Sequence, residues 1–138
     1  MTRIKYDIDL MKYMSFFESL TKAKLKDCIP GENSLTFIVE QNEVGKAVGK
    51  RGCNVRKIEN ALKKKIRVVE YNPDVRLFVR NLIYPLKAED ISEEDGIITI
   101  KGPDSRTRGL LIGRNASNLR TLESIVKRYF PIQGIKVV

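Results

Sequence analysis

The stretch VGKRGCNVRKIENALKKK occupies residues 48–65, and IGRNASNLRTLESIVKRY occupies residues 112–129. Set side by side, residue n against residue n+64, the two agree without a gap. Gly49 meets Gly113, Asn54 meets Asn118, Arg56 meets Arg120, Glu59 meets Glu123 and Lys63 meets Lys127. The apolar phase is kept too, in Val48/Ile112, Val55/Leu119, Ile58/Leu122, Ala61/Ile125 and Leu62/Val126. Shared identity and shared phase over such a length mark a duplicated unit. Two copies predict two similar small units rather than a solenoid array.

Working outward, each copy has the same order of elements. Ile8, Met11, Met14, Phe17 and Leu20 step by three, a helical stripe with Asp7 or Asp9 as N-cap. Leu25–Pro30, the turn Gly31-Glu32-Asn33-Ser34 and the alternation of Leu35, Phe37 and Val39 with Thr36 and Ile38 predict a hairpin. A short helix over 41–48, a longer one over 53–64 with Val55, Ile58, Ala61 and Leu62 on one face, and a β-branched strand over 66–71 complete an α-β-β-α-α-β unit. Asn72-Pro73 punctuates the chain. The order then recurs as helix 74–83, strand 86–91, turn 92–96, strand 97–101, helices 104–112 and 116–129, and strand 133–138. The fold class is α+β, with one unit over 1–72 and a second over 73–138.

The totals narrow the function. The 138 residues carry 26 Lys+Arg against 17 Asp+Glu, a net charge of +9. That excess suits a polyanion, a nucleic acid or an anionic surface. It is uneven: residues 44–67 hold nine basic residues and one acid, residues 101–128 hold seven and two, and residues 87–95 hold five acids and one lysine. Basic charge thus gathers on the helix-loop-helix of each copy. No apolar run approaches the roughly 18 residues of a membrane span, so a soluble, cytoplasmic protein with no membrane partner is expected. There is no histidine, and Cys28 and Cys53 are spaced unlike a metal knuckle. The commonest general base and most transition-metal sites are therefore missing. We expect no enzyme, no metal and no cofactor.

The corner Gly49-Lys50-Arg51-Gly52 asks for a phosphate. A nucleotide-binding P-loop fails on spacing. Gly45 and Gly49 are one residue too close, and Arg51 stands where the Mg²⁺-binding hydroxyl belongs. A backbone clamp fits better. The start of the following helix presents unpaired N–H groups and a positive dipole end. Glycine lets a sugar-phosphate chain approach without a Cβ in the way. Lys50 and Arg51 add charge-assisted contacts. Val44, Val48, Val55 and Ile58 serve either as core or as the floor of a groove for unstacked bases.

Gly-x-x-Gly between two helices, in this element order, resembles the nucleic-acid clamp of a type II KH domain. VGKRGCNVRKIE (48–59) and LLIGRNASNLRTLE (110–123) resemble the KH pair of the NusA family of transcription elongation and termination factors. FFESLTKAKLKDCI (16–29) and VVEYNPD (68–74) resemble its stand-alone archaeal type. The resemblance implies two tandem type II KH domains, 1–72 and 73–138, each a three-stranded sheet packed on helices. It implies binding of single-stranded nascent RNA, modulation of elongation or termination, RNA polymerase as a further partner, and a monomer. KH proteins of ribosome assembly or translation share the same RNA physics and are the main rivals. An enzyme of nucleotide metabolism is the other.

The expected RNA-binding residues are Lys46, Gly49, Lys50, Arg51, Gly52, Asn54 and Arg56 in the first copy. In the second they are Gly113, Arg114, Asn115, Ser117 and Arg120. Arg56 and Arg120 have a competing use, as helix-surface partners of Glu59 and Glu123. Lys63, Lys64 and Lys65 favour the end of their helix dipole. The second corner departs from the pattern, since Ala116 stands where Gly52 stands and Asn115 is neutral. The first copy is therefore expected to bind more strongly.

Overall fold

The computed structural model describes residues 8–138. The chain divides into two compact units, the first ending at Asn72 and the second beginning at Pro73. The first contains α1 (Ile8–Thr21), β1 (Leu25–Gly31), β2 (Ser34–Val39), α2 (Val44–Val48), α3 (Cys53–Leu62) and β3 (Lys65–Glu70). The second contains α4 (Val75–Ile83), β4 (Asp90–Glu94), β5 (Ile97–Lys101), α5 (Ser105–Ile112), α6 (Ser117–Lys127) and β6 (Gly134–Val137).

Each unit has a three-stranded sheet with its second strand in the centre. β1 and β2 run antiparallel, Gly31 opposite Ser34. β2 and β3 run parallel, from Ser34 beside Lys65 to Val39 beside Glu70. A parallel neighbour cannot be reached by a tight turn, so the chain crosses back through α2 and α3. β4, β5 and β6 repeat the arrangement, with Ile97 beside Gly134 and Ile100 beside Val137.

In the first unit, Leu35, Phe37 and Val39 on β2 pack with Cys28, Ile58, Ile66, Ala47, Leu10 and Phe17. Phe17 stacks on Phe37 with ring centroids 4.2 Å apart and planes within 16°. Both rings are fully buried, which makes this pair the centre of the core. In the second unit Phe78 on α4 meets Tyr129 edge-on at 5.6 Å and Phe130 at 5.8 Å.

The stripe of α1 differs from expectation. Leu10 and Phe17 are buried, and Tyr13, Met14 and Leu20 pack against the core, whereas Ile8 and Met11 are exposed. A step of three falls short of 3.6 residues per turn, so a run of such steps winds off any one face. Asp9 lies inside the first turn and is not the cap, and Asp7 falls outside the described residues. Ala61 of α3 is exposed, although its counterpart Ile125 is buried.

Strand β4 lies at 90–94, not 86–91. The hairpin is set not by a turn over 92–96 but by the two-residue loop Asp95-Gly96. Both residues have positive φ, 53° and 80°. That geometry suits the right-handed twist of the strands on either side and fixes Glu94 opposite Ile97.

Candidate nucleic-acid interface

Helix α2 ends at Val48, and the chain turns sharply through Gly49 to Gly52 before α3 begins. Gly49 has φ 77° and ψ 172°, Arg51 has φ 56° and ψ 29°, and Gly52 has φ 73° and ψ 18°. The second corner follows the same path. Gly113 has φ 74° and ψ 175°, Asn115 has φ 54° and ψ 32°, and Ala116 has φ 60° and ψ 24°. The duplication visible in the sequence thus extends to the backbone angles, even though Ala116 replaces a glycine in the left-handed region.

A side chain latches each corner. Asn54 Nδ2 donates to the carbonyl of Lys46 at 2.9 Å, and Asn118 Nδ2 donates to the carbonyl of Leu110 at 2.8 Å. Those carbonyls belong to the last turns of α2 and α5, where intrahelical partners run out. The latch explains the first glycine of each corner. A Cβ on Gly49 would lie 2.8 Å from Asn54 Cγ, and one on Gly113 would lie 2.6 Å from Asn118 Cγ. Asn118 was absent from the residues expected to matter; its alignment with Asn54 in the repeat was the available signal.

The candidate cations sit around this frame. Lys46, Lys50, Arg51, Arg56, Arg114 and Arg120 are all exposed, as are Asn115 and Ser117. Lys50, Arg51, Arg114 and Arg120 have no ion-pair partner among the described residues. Lys46 is partly committed, its Nζ 3.5 Å from Glu43. The Lys24 N–H bond to Glu43, and then Lys46, hold that carboxyl below the usual glutamate range. Arg56 Nη1 donates to the carbonyl of Arg51 at 2.7 Å, so it braces the loop from outside. Arg120 makes no such bond.

The glutamates do not pair with these arginines. Glu59 accepts from the backbone N–H of Ile66 at 3.1 Å, and Glu123 accepts from that of Ile135 at 2.9 Å. Each ties the helix after the corner to the last strand of its unit. Ile58 is fully buried and belongs to the core, so it floors no groove. Val44 and Val55 are partly buried against that core.

The helix starts differ in a way that bears on ligands. Asp74 caps α4 by accepting from Arg76 N–H at 3.0 Å, and Asp104 caps α5 by accepting from Thr107 N–H at 2.7 Å. Helices α3 and α6 start at Gly52 and Ala116 with no side-chain cap. The first amide of each closes the turn before it, Cys53 N–H donating to the Lys50 carbonyl and Ser117 N–H to the Arg114 carbonyl, so it is the positive end of the helix, beside the unpaired cations, that attracts an anion. Among the described residues no group of His, Cys, Asp or Glu could hold a metal, and no helix is long and apolar enough to cross a membrane.

Comparison with known proteins agrees with this frame. Residues 12–85 match the family model described as KH domain. Over its whole length the chain is 30% identical to a Methanocaldococcus jannaschii protein named "Probable transcription termination protein NusA", covering 77% of that protein. A protein of the same name from Halococcus morrhuae is 27% identical over 98% of this chain and 99% of its own. A solved structure, described as the crystal structure of APE1850, superposes with a TM-score of 0.74 and is 29% identical. That match covers 96% of this chain and all of the other.

Proposed function

This chain belongs to the KH-domain family and, along its whole length, to the NusA-type proteins of archaea, and from that membership we propose that it is an RNA-binding transcription factor. Each unit acts as a type II KH domain. Single-stranded nascent RNA is clamped at the corner between α2 and α3, and at that between α5 and α6. RNA polymerase is the further partner, and elongation or termination is the step modulated.

One observation carries the reading. An uncapped helix start, a corner held open by glycine, and unpaired cations coincide at Gly49–Gly52. Lys50 and Arg51 supply charge, the positive end of α3 adds to it, and the Asn54 latch and the Arg56 brace fix the loop before RNA arrives. Preorganisation of this kind lowers the ordering cost of binding. The second corner keeps the path but offers one cation, a neutral amide and an added methyl, so it extends the footprint with weaker contacts.

The test is binding of a short single-stranded RNA at several salt concentrations by the native protein and by Lys50→Asp/Arg51→Asp. Tight native binding with a steep salt slope, largely lost in the variant, supports the clamp. Equal binding by both proteins would remove it. A greater loss in Arg114→Asp/Asn115→Asp would reverse the order of the two units.

A further inference from the structure

The outer face of α3 carries charge that the corner does not use. Opposite the packed stripe of Val55, Ile58 and Leu62, the helix exposes Arg56, Lys57, Asn60 and Ala61. Lys63 and Lys64 follow directly past its end, the first exposed and the second half-buried. The one acid of the helix, Glu59, is occupied by the N–H of Ile66. The side chains of Lys57, Lys63 and Lys64 have no hydrogen-bond or ion-pair partner among the described residues.

An ordinary solvated helix face offsets its cations with acids three or four places away. The duplicate helix does so, with Lys127 Nζ 3.2 Å from Glu123. It also holds Thr121 where α3 holds Lys57. Dipole capping accounts for cations in the last turn only, and Lys57 lies in the first half of its helix. Lys63 adds a backbone observation. It is the C-cap of α3 at φ 57°, where glycine would be relaxed. Ala61 keeps the middle of the face low between the cations.

We propose that this face is a second phosphate track, which holds the same RNA strand where it runs on past the nucleotides in the clamp. Its cations are Lys57, Lys63 and Lys64, which run from the middle of α3 to just past its end, roughly 10 Å along the axis. The track makes no base contacts and adds affinity without sequence preference. The inference rests on the clamp reading.

The experiment compares tetrauridylate, the length a KH clamp grips, with an oligouridylate of about twelve nucleotides. Both are titrated across salt with the native protein, Lys57→Gln/Lys63→Gln/Lys64→Gln, the matching Lys→Arg triple variant and Lys50→Asp/Arg51→Asp. Losing three phosphate contacts lowers the log–log salt slope on the longer RNA by about 2. Between about 50 and 200 mM salt, the Gln variant's affinity then falls roughly 20-fold less than the native protein's. The Arg variant keeps the native slope, and tetrauridylate binding is the same in all three. Equal slopes on the long RNA overturn the track, and so does a matching loss on tetrauridylate, which would place these lysines in the clamp. Undiminished tetrauridylate binding by Lys50→Asp/Arg51→Asp defeats the clamp reading instead, and the slope on the long RNA still decides the track.

Discussion

The side-chain amide of Asn54 is bonded to the backbone carbonyl of Lys46, eight residues back and on the other side of the corner. It closes the end of a five-residue helix that is too short to hold itself. Asn118 does the same for Leu110. The corner's shape therefore depends on a residue outside the Gly-x-x-Gly motif.

Replacing Asn54 by Asp removes the donor and sets a carboxylate against a carbonyl. The change should cost about 1–2 kcal/mol of stability, and RNA affinity should fall although no cation has been touched. Chemical denaturation and RNA titration of Asn54→Asp check both, with Asn118→Asp as the matching change in the second unit.

Gly45 of α2 and Gly49 of the first corner should respond in opposite directions. Gly45 lies inside α2 with nothing within 4 Å of an added Cβ, so Gly45→Ala should stabilise by about 0.5–1 kcal/mol. At Gly49 the Cβ would meet the latch, and φ is 77°, so Gly49→Ala should cost about 2 kcal/mol or more. Thermal unfolding of the two variants side by side would show the contrast.

Ala116→Gly would relieve a left-handed alanine at φ 60° and restore the glycine of the first corner. Stability should rise by up to about 1 kcal/mol. RNA contact at the second corner should strengthen, most visibly when Lys50 and Arg51 have been replaced by Asp.

Much of this was legible in the residues. The repeat and both corners could be read because glycine identity and apolar phase recur together. What escaped were features that need a partner in space. The step-of-three pattern in α1 could not say which face the sheet would cover. Arg56 and Glu59 are three apart and of opposite charge, yet each finds a backbone group instead. Preorganised backbone donors and acceptors competed better than a solvated ion pair, which is worth only about 0–1 kcal/mol. Strand β4 starts later than 86 because the two-residue turn Asp95-Gly96, not a longer turn over 92–96, sets its register against β5.

The tie between α6 and β6 gives a pH signature. The Ile135 N–H, and then Lys127, hold the Glu123 carboxyl below the usual glutamate range. A carboxylate lowered in the folded state stabilises it above the unfolded value of about 4.3. That contribution is lost as pH falls through the folded value. Denaturant midpoints should therefore drop as the solution is acidified below about pH 4.3, and Glu123→Gln should show a shallower drop.

The latch has a consequence for how such a chain can diversify. Because Asn118 holds the bend from outside the loop, the second glycine can be given up and the bend survives, as Ala116 demonstrates. Architecture and fingertip are specified by different positions. One copy can trade Lys-Arg for Arg-Asn while inheriting its frame intact, so a duplicated scaffold can carry two differently charged corners on one backbone path.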